Sequence, residues 1–240
     1  MRVYYDVTCS FSSKFNNWFE YDAIARSDMK GEVQKCIDAG VSHLHVDVFD
    51  GVYLDSPYAL TFGPQMVSAI RKRFVEHPEL VLDIHLCVDR PARYAVAMAE
   101  SGASRVIFMF EALRLDEAVE FAQTITSLGM SCGVSINPDT SISDIYPLLE
   151  TGLVDLVDIL AVEPGFGGQE FNPVSEHKIK DLQGWRQERG IDLQILVDGG
   201  INSKTIKRVV QAGADICVAG TAIFRHKDGF SAALKELHDQ

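Results

Sequence analysis

Short apolar runs alternate with longer amphipathic segments along the whole chain. The runs are Val3–Thr8, His43–Val48, Leu80–Cys87, Arg105–Met109, Ser131–Ile136, Leu156–Val162, Leu193–Val197 and Ile216–Ala219, each with strand length and composition. Helical spacing marks Lys30–Ala39, Pro64–Phe74, Pro91–Glu100, Leu115–Ser127, Ile142–Leu149, Val174–Arg189, Ser203–Ala212 and Phe230–His238. Ala39-Gly40, Ser101-Gly102 and Ala212-Gly213 punctuate the pattern where a helix gives way to the next strand. Eight β-then-α units without a composition break predict a (β/α)8 TIM barrel, an α/β fold forming one domain over residues 1–240. A doubly wound open sheet is the alternative. It usually has fewer strands and a glycine fingerprint after the first strand, and that fingerprint is missing.

Two connections are long, and both follow a strand: about residues 9–30, and Asp50–Thr61. In a barrel, loops after strands build the active-site face. The first carries Phe11, Phe15, Trp18, Phe19 and Tyr21, more apolar area than a disordered linker has. The segment Phe11–Tyr21 is therefore expected to pack at the mouth of the barrel, within its own chain or across a dimer contact.

The chemistry sits at strand ends. In strand two His43, His45, Asp47 and Phe49 alternate with Leu44, Val46 and Val48; in strand three Asp83, His85 and Cys87 alternate with Leu82, Ile84 and Leu86. The apolar set fits helices packed outside, so the polar set points into the barrel. Asp198 ends strand seven before two glycines. Two imidazoles and two carboxylates can hold one divalent ion; zinc or iron(II) is favoured, and manganese or cobalt also fits. Alone, any of these residues reads more readily as a hydrogen-bonded core group than as a ligand. Four at strand ends read as a site.

Glycine loops follow the last three strands: Pro-Gly165-Phe-Gly167-Gly168-Gln, Gly199-Gly200 and Gly220-Thr221. Backbone amides in such loops can approach an anion closely. Barrel phosphate sites lie after strands seven and eight.

The formal net charge of −12, with no basic cluster, argues against a nucleic-acid partner. Nothing has the length of a membrane span, and the N-terminal residues lack a signal pattern. Five scattered cysteines suggest reduced thiols and a cytoplasmic setting.

The motifs His45-Val-Asp-Val-Phe-Asp-Gly51, Thr61-Phe-Gly-Pro64, Asp83-Ile-His-Leu86, Pro164-Gly-Phe-Gly-Gly-Gln169, Val197-Asp-Gly-Gly-Ile201 and Ala219-Gly-Thr-Ala-Ile-Phe224 together resemble the ribulose-phosphate 3-epimerase family, from about Glu32 onward. The resemblance implies a TIM barrel with one divalent metal on His45, Asp47, His85 and Asp198. It implies that Asp47 and Asp198 are the paired acid and base, inverting C3 of a ketose phosphate through a metal-stabilised enediolate. Phosphate would sit on the amides of Gly167, Gly168, Gly199, Gly200, Gly220 and Thr221, with Gly165 in the same site. The expected substrate is D-ribulose 5-phosphate, giving D-xylulose 5-phosphate; a six-carbon ketose phosphate such as D-allulose 6-phosphate is the alternative. A non-catalytic phosphosugar-binding barrel is the competing class. A homo-oligomer, dimer or hexamer, is expected.

The substrate-lining positions depart from the family pattern. Phe49, Cys87 and Leu160 stand where the family has methionine, and Met109 stands where a histidine is common. The family's substrate-contacting serine aligns with Cys9 without a gap, or with Ser10 after a one-residue slip.

Overall fold

Residues 2–6, 29–61 and 63–239 are described by the computed structural model, with side chains from Gly31 onward. Eight parallel strands close into one barrel in sequence order, the first pairing with both the second and the last. In chain order the elements are β1 (Arg2–Asp6), α1 (Met29–Asp38), β2 (His43–Phe49), α2 (Pro64–Arg73), β3 (Val81–Cys87), α3 (Ala95–Glu100), β4 (Arg105–Met109), α4 (Leu115–Ser127), β5 (Ser131–Ile136), α5 (Tyr146–Leu149), β6 (Leu156–Leu160), α6 (Val174–Arg189), β7 (Gln194–Asp198), α7 (Ile206–Ala212), β8 (Ile216–Ala219), α8 (Thr221–Phe224) and α9 (Phe230–His238).

The alternation read from the strands sorts the side chains into two apolar bodies. Leu44, Val46, Val48, Leu82, Ile84 and Leu86 join the large layer between barrel and helices. Ile107, Leu156, Leu196, Ile216 and Val218 form a separate cluster inside the barrel. A barrel of eight strands is narrow enough for side chains to fill, so this interior is a packed core and not a pore.

At the N-terminal end of the barrel Arg105 is the central cation. It lies 3.4 Å from Asp83, 3.2 Å from the Gln194 amide oxygen and 3.6 Å from Asp155. Asp83 thus points inward as its register demands, but it belongs to this plug and not to the strand-end cluster. Breaking such a buried pair leaves an uncompensated charge, which typically costs about 3–5 kcal/mol. Arg105→Met should accordingly lower the thermal midpoint while leaving metal content intact. A midpoint equal to wild type would show that the plug carries no stability.

Several element ends differ from the sequence expectation. β6 stops at Leu160, not Val162, because the Ala161 carbonyl turns to accept from Asn172 N at 2.7 Å. The Pro91 and Ile142 segments each open with a 3-10 turn before their α-helix. The seventh helix begins at Ile206, since Asn202 and Thr205 are tied into a turn by Asn202 N donating to Thr205 Oγ at 2.9 Å. The four-residue α8 has no counterpart in the periodicity, because one turn carries no repeat to detect. The residues Cys9, Ser10 and Phe11–Tyr21, with the end of the run Val3–Thr8, lie outside the described residues.

Candidate active site

The strand register brings the expected donors together. Asp47 on β2 is paired with His85 on β3, and Leu160 on β6 with Asp198 on β7. His45, Asp47, His85 and Asp198 each offer one ligand atom, and these atoms all lie within 4.8 Å of one another. His85 Nδ1 is 3.0 Å from Asp47 Oδ1; His45 Nε2 is 3.4 Å from Asp47 and 3.9 Å from Asp198.

Two observations test whether a cation fits here. Both ring nitrogens of the fully buried His45 lack a hydrogen-bond partner, a state that buried polar atoms rarely occupy. The electrostatics also favour positive charge. Burial alone disfavours His45 protonation, yet Asp47 and Asp198 outweigh it and raise the pKa to about 9. Burial likewise opposes protonation of His85, and Cys87, Asp47 and Asp158 overcome it. Burial pushes the Asp47 carboxyl up, while His45 and His85 hold it well below the ordinary carboxylate range. A divalent ion held by these residues would supply the charge that the pocket otherwise draws from protons. The donor set of two imidazoles and two carboxylates suits such an ion, and protons compete with it because ligation needs neutral imidazole.

The connection after β2 folds back and secures Asp47. Thr61 Oγ1 donates to the Asp47 carbonyl at 2.8 Å and accepts from Phe49 N at 2.9 Å; Asp50 and Leu60 form an antiparallel bridge. The second of the two long connections therefore anchors on the active-site face, as expected. Thr61 opens the Thr61-Phe-Gly-Pro64 motif, and the fold gives it this anchoring role.

A cavity opens above the cluster. Its floor includes Asp47, His85 and Asp198, its wall Phe49, Cys87 and Leu160, and its rim all three glycine loops, with Gly165, Gly167, Gly168, Gly199, Gly200, Gly220 and Thr221 lining it. The three loops thus converge, although they follow three different strands. The substituted positions converge as well: Phe49, Cys87, Met109 and Leu160 form one apolar cluster with Ala59. One expectation needs correction. Met109 does not line the cavity; it is fully buried, with its sulfur 3.2 Å from His85 Nε2. Its side chain turns to the His85 ring instead of the cavity.

Ser135 and Asp158 join the site without belonging to any of the motifs above. Both are fully buried inside the barrel, and Ser135 Oγ donates to Asp158 Oδ2 at 2.8 Å. The signal was present: Asp158 shares the phase of Leu156 and Leu160, so alternation alone sends it inward.

Among known proteins, the sequence profile of the ribulose-phosphate 3-epimerase family matches residues 23–224. A cytoplasmic ribulose-phosphate 3-epimerase of Oryza sativa is 36% identical over 199 residues, covering 82% of each chain. The Bacillus subtilis ribulose-phosphate 3-epimerase is 35% identical over 198 residues, covering 82% of this chain and 86% of that one. Among solved structures, a 3-keto-L-gulonate-6-phosphate decarboxylase of Vibrio cholerae superposes with a TM-score of 0.64 at 15% identity, covering 100% of this chain and 97% of that one. The last likeness concerns the barrel fold alone.

Proposed function

This chain belongs to the ribulose-phosphate 3-epimerase family, and from that premise we propose that it interconverts D-ribulose 5-phosphate and D-xylulose 5-phosphate. The observation that carries the reading is the convergence of two carboxylates and two imidazoles within 4.8 Å beneath a cavity rimmed by three glycine loops.

Inverting a carbon beside a carbonyl means removing its proton on one face and adding one on the other. Asp47 and Asp198 are the two carboxylates of the donor cluster, one for each face. In one direction Asp47 accepts the C3 proton and Asp198 returns one; in the other the roles exchange. For this, one must be protonated when the other is ionised. A divalent ion on His45, Asp47, His85 and Asp198 supplies Lewis-acid stabilisation of the negative charge that the departing proton leaves on the substrate. Phe49, Cys87 and Leu160 exclude water from the reacting carbon and limit proton loss to solvent. The amides of Gly167, Gly168, Gly199, Gly200, Gly220 and Thr221 take the phosphate, with Gly165 shaping the same loop.

Elemental analysis of the purified protein should find one divalent ion per chain, zinc or iron(II) by preference, with activity lost on chelation and restored by the ion. Metal-free protein that turns over at full rate would contradict this. Steady-state comparison of ribulose 5-phosphate with allulose 6-phosphate tests the sugar. We expect the five-carbon substrate to have the higher kcat/KM, and the reverse order would reassign the physiological ketose. Binding of both without turnover would leave only a phosphosugar-binding barrel.

Among the described residues no helix is long and apolar enough to cross a membrane. The free, buried thiols of Cys36, Cys87, Cys132 and Cys217 suit the reducing cytoplasm, where we place the protein. The same reading carries a homo-oligomer, dimer or hexamer, and light scattering that gave a monomer would contradict it.

A further inference from the structure

Below the donor cluster lies a third carboxylate that the epimerisation does not require. Met109, Ser135 and Asp158 sit level with one another on β4, β5 and β6 and line the barrel interior. Asp158 Oδ2 accepts the Ser135 hydroxyl at 2.8 Å and lies 3.8 Å from His85 Nε2; Asp158 Oδ1 is buried with no hydrogen-bond partner. Its neighbours along β6 are Leu156 and Leu160, and its register partner on β7 is Leu196. Burying a carboxylate among such side chains is costly unless a positive or hydrogen-donating group offsets it. The groups available from above are the two imidazoles.

The two nitrogens of His85 face different surroundings. Nδ1 points to the ligand side, 3.0 Å from Asp47 Oδ1. Nε2 points down, 3.2 Å from the Met109 sulfur, 3.5 Å from the Cys87 thiol and 3.8 Å from Asp158. A lone pair on Nε2 would face the Asp158 carboxylate oxygen and the Met109 thioether sulfur, which only accept, while the Cys87 thiol can accept as well as donate weakly. A proton on Nε2 would be attracted by the carboxylate and the thioether. A metal-ligating histidine commonly has its second nitrogen held in this way by a carboxylate, which fixes the tautomer and raises ligand basicity.

We propose that Asp158 is a positioning residue of the cluster: from beneath, it holds His85 protonated at Nε2 and leaves Nδ1 to ligate the ion. Ser135 in turn holds Asp158. The inference rests on the metal-site reading above.

Zinc affinity, measured by competition with a chromophoric chelator, tests it on wild type, Asp158→Asn, Asp158→Leu and Ser135→Ala. Both Asp158 variants should bind zinc about 10–100-fold more weakly, with Ser135→Ala weaker in the same direction by less. In zinc-loaded protein with 15N-labelled histidine, wild-type His85 should show its proton on Nε2, and in Asp158→Leu that proton should exchange faster with solvent. A merely structural Asp158 would shift the thermal midpoint of the metal-free protein and leave zinc affinity and the imidazole signals as in wild type, which would overturn the assignment. Should Asp158→Leu fail to fold, the near-isosteric Asp158→Asn decides alone. A wild-type chain that took up no zinc or iron(II) would remove the metal reading and this inference with it, whereas tight wild-type binding with unaltered variants removes only the inference.

Discussion

Asp47→Asn and Asp198→Asn should each lower epimerisation by about 10²–10⁴-fold, the usual contribution of a positioned acid or base. An amide keeps the shape of the carboxylate but neither takes nor returns the C3 proton. Both residues also belong to the donor cluster, so metal content must be measured beside turnover. The informative variant is one that retains its ion. It should still exchange the substrate C3 proton with solvent in one stereochemical sense, because the surviving carboxylate can remove and return a proton on its own face. Near-native turnover in either variant would end the two-carboxylate assignment.

Gly200→Ala should damage substrate binding more than its size suggests. Gly200 has φ +66, and a Cβ there would lie 2.6 Å from Phe171 Cα and 2.8 Å from Phe171 N. Those are backbone atoms of the loop after β6, so relief requires moving one glycine loop away from another. The Gly200 carbonyl is also fixed, accepting from Thr205 Oγ1 at 2.8 Å and from Asn202 Nδ2 at 3.0 Å. Strain from the left-handed backbone adds about 1–2 kcal/mol. We expect KM for the phosphorylated ketose to rise about tenfold or more, equivalent to about 1.4 kcal/mol of binding. Gly152→Ala is the control for backbone strain alone, since φ is +71 and nothing lies near its Cβ. A Gly200→Ala enzyme that matches Gly152→Ala in KM would show that the loop spacing does not hold the phosphate. At Gly199 a side chain meets Val162 in the loop after β6, so Gly199→Val would push that loop away from the end of β7.

Much of this was legible in the sequence because period-two alternation is a strong signal. It placed His45, Asp47 and His85 inside the barrel, and register then set Asp47 level with His85. The glycine loops were legible as loops, and their convergence follows from strand order in a closed barrel. Other features depend on information that local pattern does not hold. Thr61 secures Asp47 from 14 residues away, through a fold-back that includes the bridge between Asp50 and Leu60. Met109 stands at a substrate-lining position of the family pattern, but its sulfur lies against His85 on the neighbouring strand, a contact that the pattern of one strand does not hold. Asp158 is readable by phase, but one aspartate among leucines and valines looks in sequence like an isolated core polar group.

The most direct test of the account is proton NMR of D-ribulose 5-phosphate incubated with metal-loaded protein in D2O. A two-carboxylate epimerase must form D-xylulose 5-phosphate with deuterium at C3, at a rate abolished by chelation and by Asp47→Asn or Asp198→Asn. Unchanged ribulose 5-phosphate, or xylulose 5-phosphate that retained its original C3 hydrogen throughout, would contradict it.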